Sequence, residues 1–467
     1  MERITMKDYI NIDEILKKQK QYFKSQSTKD IRFRIKQLNK LEVAINSYEG
    51  KIIEALKNDF NKPEFESYET EIGVILSEIK HAKKNINKWS KPKKIKSSLS
   101  SPASKTYLYN QPYGICLIMS PWNYPFQLSI SPLIGSIIAG NTSVIKPSEL
   151  APNTSRIIKN MIEEYFDEEY IAVIEGEINI NKYLLNQNFD YIFFTGSPMV
   201  GKIVMSAAAK HLTPCTLELG GKSPCIVDKN ADIDISAKKI VWGKLLNAGQ
   251  TCVAPDYIIA HKDIKNNLID KMIEYINKFY KGNPLESLDY ASIINQKHFD
   301  RITSLIDYKK VAYGGNYNKE NLKIEPTILN NITVDNKVME EEIFGPIIPI
   351  LEFDDINDIL KIIEVHKSPL ALYLFTKDKN LEIDIINKIS FGGGCINDTI
   401  MHIANTNAPF GGIGSSGIGS YHGKKSFDTF SHQKSVLKSS ILIDVSTKYP
   451  PYTENNLKIL KSLFKFI

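Results

Sequence analysis

The stretch Asn247–Pro255, N-A-G-Q-T-C-V-A-P, sets Cys252 in a polar, glycine-containing turn between a helical pattern and a strand pattern. A thiol in such a turn can stand at a cleft, and its thiolate is a good nucleophile toward carbonyl carbon. The competing reading is that Cys252 fills core space, as most free thiols do. A second run, Y-I-F-F-T-G-S-P-M-V-G-K from Tyr191 to Lys202, reads as a strand that turns at Gly196 and opens a helix with Ser197 as N-cap and Pro198 at the first position. The unpaired N–H groups and dipole of a helix start favour an anion such as a pyrophosphate. The common dinucleotide fingerprint G-x-G-x-x-G is absent, so this run alone is a weak pointer.

These residues need a scaffold, and the hydrophobic periods supply one. Ile31, Ile35, Leu38 and Ile45 recur at helical spacing, and Thr70–Lys84 continues the same period, giving an N-terminal helical arm to about residue 90. From Tyr113 short β-branched runs (GICLIM, TSVIK, YIAVIEG, YIFFTG) alternate with amphipathic stretches such as Ser155–Phe166. A second alternating series follows Leu217: SPCIVD, a helix through Ala237–Leu246, DYIIAH, and a helix over Asn266–Phe279. Alternating strands and helices predict an α/β fold with parallel, doubly wound sheets. The lysine-dense stretch Lys80–Lys96 reads as a solvated helix face and linker. The glycine-dense segment Ser390–Gly423 reads as a loop, either on the surface or close to a ligand. At the end of the chain Leu457, Leu460, Phe464 and Ile467 share a helical face, which is expected to pack on a partner; resting weakly on a membrane surface is the other reading.

Composition narrows the class. With 467 residues, 42% hydrophobic and 24% charged, the chain exceeds the size of a single core and matches soluble globular averages. A net charge of +6 is mild for this length and does not suggest nucleic-acid binding. The N-terminal residues lack a signal-peptide core, and no run is long and apolar enough to span a bilayer, so a cytoplasmic protein is expected. The five cysteines Cys116, Cys215, Cys225, Cys252 and Cys395 are scattered and form neither a disulfide framework nor a zinc site. The histidines give no metal spacing, no metal is assigned, and His422 reads as a structural hydrogen-bonder.

Three segments now bear on one another. G-Q-T-C ending at Cys252, L-E-L-G-G-K-S-P at Leu217–Pro224 and E-E-I-F-G-P at Glu341–Pro346 resemble the signature motifs of aldehyde dehydrogenases, in the same order. PWNYP at Pro121–Pro125, KPSE at Lys146–Glu149, FTGS at Phe194–Ser197 and the long run Pro409–Phe427 extend the resemblance over most of the chain. SYHGKKSF and YPPYTENNLK are similar to class 3 members in particular.

The resemblance implies Cys252 as nucleophile, Asn123 as oxyanion donor and Glu218 as the base that activates water. It implies a nicotinamide dinucleotide, NAD with NADP as an alternative, bound by Lys146, Glu149, Gly196, Ser197, Gly201, Glu342 and Phe344. It further implies a Rossmann-like dinucleotide-binding domain (1–106 and 125–218), an α/β catalytic domain (219–405), a small β bridging flap (107–124 and 406–445) and a tail helix (446–467). A homodimer and aliphatic or aromatic aldehyde substrates follow, with medium or long aliphatic chains preferred. A cysteine-dependent hydrolase without redox chemistry and a catalytically idle scaffold are the rival classes, and release of the thioester to coenzyme A is a third route.

Overall fold

In the strand Ile115–Met119 alternate side chains go to opposite faces. Cys116 and Ile118 enter one apolar core, while Ile115, Leu117 and Met119 enter another. A strand buried on both faces belongs in a parallel sheet with helices over each side. The computed structural model, which describes residues 6–97, 103–444 and 446–465, has that arrangement. Among the described residues this first sheet runs in the order Gly417–Ile418, Cys215–Leu219, Tyr191–Gly196, Ile115–Met119, Thr142–Lys146, Ile171–Val173. Its strands are parallel except Gly417–Ile418.

The second sheet runs Val311–Tyr313, Thr327–Leu329, Ile347–Phe353, Tyr257–His261, Pro224–Val227, Ala371–Phe375, Gly393–Ile396. All but Val311–Tyr313 are parallel. Only residues 220–223 join Leu219 of the first sheet to Pro224 of the second. That short link sets the carboxyl edge of the first sheet against the amino edge of the second. Ligands of open α/β sheets bind beyond the carboxyl ends of the strands, so the seam between the sheets is where chemistry belongs.

The helical arm covers the first sheet through Ile31–Phe60 and Val74–Trp89. Its period is not continuous, as the sequence pattern had implied, because Tyr68–Gly73 forms a π-helical turn between the α-helical pieces. A small antiparallel sheet of Lys93–Ile95, Ser104–Pro112 and Ser431–Ser439 projects from the body. Lys93–Ile95 is therefore a strand where the lysines suggested a linker; its exposed charges are compatible with an edge strand, whose side chains need not be buried.

Gly393–Ile396 likewise pairs as a strand inside the glycine-dense segment. A Cβ at Gly394 would lie 2.0 Å from Leu372 O, so glycine is what lets this edge approach. His422 donates its backbone N–H to Ser426 Oγ and accepts from Lys425 N and Ser426 N at its carbonyl, while its ring stacks on Phe410, so its bonding is through the backbone and not the side chain that was read as a hydrogen-bonder. The tail helix Glu454–Phe464 forms, but Leu457, Leu460 and Phe464 are 49%, 47% and 62% exposed, so among the described residues nothing covers its apolar face. Ile467 lies outside the described residues.

Asn141 ties the projecting sheet to the first one. Its Oδ1 accepts from Gly114 N at 3.0 Å and its Nδ2 donates to Phe430 O at 2.9 Å. Replacing it with Leu strands a buried donor and acceptor, each costing about 1–3 kcal/mol. A clearly lowered thermal midpoint is expected for Asn141→Leu in a melting scan; an unchanged midpoint would refute this account of the join.

Candidate active site

The turn that carries Cys252 is held in an unfavourable backbone shape. Asn247 and Ala248 have φ of 54° and 53°, and Gly249 follows at 76°. Non-glycine residues keep left-handed conformations only where their surroundings fix them. Here Asn247 Nδ2 donates to Asn123 O at 2.8 Å and Gln250 O at 3.2 Å, and Asn123 Nδ2 donates to Gln250 O at 3.0 Å. Tyr124 and Thr251 share a hydroxyl bond of 2.6 Å. Gln250 in turn donates to Ser292 O and accepts from Ile294 N, each at 3.0 Å. A Cβ at Gly249 would stand 2.4 Å from Gly345 O, so the turn also presses on the segment that bears Glu342 and Phe344.

Cys252 lines two cavities at once. The larger, about 570 Å³, is walled by Asn123, Gly196, Ser197, Glu218, Glu342 and Phe344 among others. The narrower, about 220 Å³, is largely apolar, with Val74, Leu128, Trp242, Leu246, Ile400 and Met401 in its wall. Cys252 thus stands where a polar cleft and an apolar pocket meet.

The remaining expected residues divide. Ser197 caps the helix Pro198–Ala209 by accepting from Val200 N at 3.4 Å. Phe344, itself at φ 51°, meets Trp122 edge-on with centroids 5.3 Å apart. Lys146 Nζ donates to Pro147 O at 2.6 Å and Glu149 Oε2 at 3.2 Å, at the end of its strand and away from the walls of both cavities. Gly201 lines neither cavity; a Cβ there would meet Leu219 Cδ2 at 2.6 Å, so it sets helix-to-strand closeness instead.

His298 and Arg301, which motif reading missed, do line the polar cleft. His298 lies 4.9 Å from the Trp122 ring, and Arg301 Nη2 donates to Ile343 O at 2.6 Å. In the sequence they look like one more solvated helix face. The cleft fits a dinucleotide: a helix start for anionic groups, an aromatic wall, and Gly196 and Gly220, where a Cβ would clash with Phe194 and with Glu342.

Residues 1–436 match the sequence model of the aldehyde dehydrogenase family. The chain belongs to that family. Among similar proteins, the 4,4'-diaponeurosporen-aldehyde dehydrogenase of Staphylococcus aureus is 49% identical over 96% of this chain and 97% of its own length. Aldehyde dehydrogenase family 3 member H1 of Arabidopsis thaliana is 45% identical over 93% of this chain and 91% of its own. The solved substrate-bound state of Staphylococcus aureus AldH superposes with a TM-score of 0.95 at 48% identity, covering 97% of this chain and 99% of that one.

The electrostatics of this aldehyde dehydrogenase follow from its dry seam. Glu218 is 3% exposed, neither of its carboxyl oxygens has a hydrogen-bond partner, and burial holds its pKa well above the carboxylate range. Glu342 is pushed up to about 8, first by removal from water and then by the Asp256 charge, against the N–H of Gly221. The Cys252 thiol is pushed up to about 12 by burial and by the negative charge available at Glu342 and Glu218, while the N–H groups of Cys252 and Val253 act the other way. In the ligand-free protein the thiol is therefore neutral near pH 7. Its alkylation by iodoacetamide is expected to be slow at pH 7 and to climb without a plateau to pH 10 and above; a plateau near pH 7 would contradict this.

Proposed function

We propose that this enzyme oxidises medium- or long-chain apolar aldehydes to carboxylates through a thioester on Cys252, with NAD, or NADP as an alternative, as hydride acceptor. The observation that carries the proposal is the position of Cys252 at the meeting of the apolar and polar cavities. An aldehyde entering through the apolar side brings its carbonyl carbon to Sγ. The new C–S bond forms as the thiol proton passes to water in the polar cleft and the carbonyl π pair moves to its oxygen, which becomes an alkoxide. One N–H of Asn123 is held by Gln250 O, leaving the other for this oxygen, together with the backbone N–H of Cys252. A bound dinucleotide supplies the hydride acceptor on the polar side. Glu218 then takes a proton from water, which attacks the thioester and releases the carboxylate as the C–S bond breaks and the thiol is restored.

The apolar wall supports long hydrocarbon substrates, as does similarity to a Staphylococcus aureus enzyme named for the aldehyde of diaponeurosporene. A dinucleotide that reaches past the cleft to Glu149, whose carboxylate is 36% exposed, would meet a charge that repels a 2′-phosphate, which supports NAD, while a mouse relative described as NADP-preferring, 42% identical, keeps NADP open. The division into dinucleotide-binding, catalytic and bridging parts belongs to the same proposal and is supported by the three larger of the four sheets among the described residues. Unpaired cysteines suit a reducing compartment, and we place the enzyme in the cytoplasm.

Glu218→Gln tests the hydrolytic step. NADH should still form in a burst of about one per Cys252, while steady turnover falls about 100-fold or more. Because Glu218 must lose its proton to act and its pKa is raised, wild-type hydrolysis should accelerate with pH across the neutral range and the variant should lose that rise. An untouched steady rate would remove Glu218 from the role, and NADH formation by Cys252→Ala would remove Cys252.

A homodimer is also proposed. The strand Ser431–Ser439 is an open edge, Gly393–Ile396 is the open edge of the second sheet, and Ile441 and Leu442 beyond the first are 99% and 91% exposed. A second copy that pairs these edges would cover them. Light scattering should give a dimer mass for the wild type and a monomer for the doubly substituted Ile441→Asp, Leu442→Asp protein; a wild-type monomer would end the proposal.

A further inference from the structure

The helical arm contains a device that the catalytic cycle above does not use. Between the helix Ile31–Phe60 and the helix Val74–Trp89 the chain passes through Lys62, a short helix Glu64–Ser67 and the π-helical turn Tyr68–Gly73. Two carboxylates of this segment hold backbone N–H groups of the two loops that form the site. Glu71 Oε2 accepts from Phe126 N at 3.0 Å and Gln127 N at 3.1 Å, the start of the helix that follows Asn123. Glu66 Oε2 accepts from Asn247 N at 3.0 Å, the first left-handed residue of the turn that carries Cys252.

Lys62 completes the arrangement. Its Nζ donates to Glu71 Oε1 at 2.7 Å, with both side chains fully buried, and lies 4.1 Å over the ring of Tyr124. Its positive charge also favours the ionised form of Glu66, opposing the desolvation that raises that carboxyl to about 7. The end of the preceding helix joins in: Asn61 Nδ2 donates to Ser292 Oγ at 2.9 Å and Ser292 N to Phe60 O at 2.8 Å, while Ser292 O takes Gln250 Nε2.

We propose that this segment is a brace that fixes the register of the Asn123 loop against the Cys252 turn, with Glu66 and Glu71 as positioning residues. The local helix geometry explains its form. Residues neighbour one another on an α-helix at spacings of three and four, whereas the i→i+5 repeat of a π turn brings residues five apart toward one side. Glu66 and Glu71 have that spacing, and both reach the same pair of loops. A carboxylate at a helix start makes charge-assisted bonds to N–H groups that otherwise have no partner. A left-handed Asn persists only if its surroundings fix it; Asn123 O holds the Asn247 side chain, and Glu66 holds its backbone N–H from outside the turn. Thr70 and Val74 of the same stretch line the apolar pocket, so one local distortion serves the loops and the substrate wall together.

The brace rests on the thioester reading of Cys252, and the test separates the two. Full-length wild type, Glu66→Gln, Glu66→Asp and Glu66→Leu are compared in the pre-steady-state NADH burst with NAD and octanal, in NADH binding by fluorescence, and in iodoacetamide alkylation of Cys252. Gln keeps an acceptor at the right reach for Asn247 N–H; Asp keeps the charge but falls short, and serves if Leu does not fold. The expected result is a burst rate near wild type for Gln and lower by about 10-fold or more for Asp and Leu, with NADH affinity unchanged. Alkylation should quicken in Asp and Leu as the turn relaxes. Equal burst and alkylation rates in all four proteins, or equal losses in Gln and Leu, would overturn the brace. A wild type without a Cys252-dependent burst would instead overturn the thioester reading, and alkylation would still judge the brace.

Discussion

The left-handed run Asn247–Gly249 is the constraint on which the rest of the molecule depends. Left to itself it would relax, and the thiol two residues beyond Gln250 would turn with it. It is held by groups from distant parts of the chain: the backbone carbonyl of Asn123 from the loop after a central strand, the Ser292 carbonyl and Ile294 N–H from the second sheet's surroundings, and the Glu66 carboxyl from the helical arm. The two sheets, each with its own core, can be regarded as anchors for these holding groups. A four-residue link, 220–223, keeps the end of one sheet close to the start of the other.

Desolvation is the second common thread. The seam that brings Glu218, Glu342 and Cys252 together also removes them from water, and each is shifted toward its neutral form. Three ionised groups lining one cleft would repel one another at low dielectric. Neutrality at rest removes that repulsion, and charge develops only as bonds change. A carboxyl without hydrogen-bond partners is costly to bury, and that cost is the usual mark of a group kept for reaction.

Much of this was legible in the sequence. Short, continuous β-branched runs marked the strands Ile115–Met119 and Tyr257–His261, and the motif around Cys252 resembled a nucleophile turn before any fold was in view. What escaped was information that does not live in local pattern. Gly393–Ile396 looks like a loop because its glycines suit a neighbour, Leu372, that is distant in sequence. His298 and Arg301 look like a solvated face because nothing nearby signals that Trp122 and Ile343 will meet them. The π turn escaped because the helices on either side of it, Ile31–Phe60 and Val74–Trp89, each keep the helical period on their own. The tail helix was read from its amphipathic face, yet amphipathicity says that a face will be covered, and not by what.

The two cavities that meet at Cys252 draw their walls from different parts of the chain. The apolar one is made by the helical arm, Trp242 and the segment Ile400–Ala404; the polar one by strand ends and the Glu342 segment. Inheritance can act on each separately. Drift in Val74, Trp242 or Met401 would reshape the apolar pocket while leaving the polar cleft intact, so a lineage carrying this scaffold can change the aldehydes it accepts without relearning its chemistry.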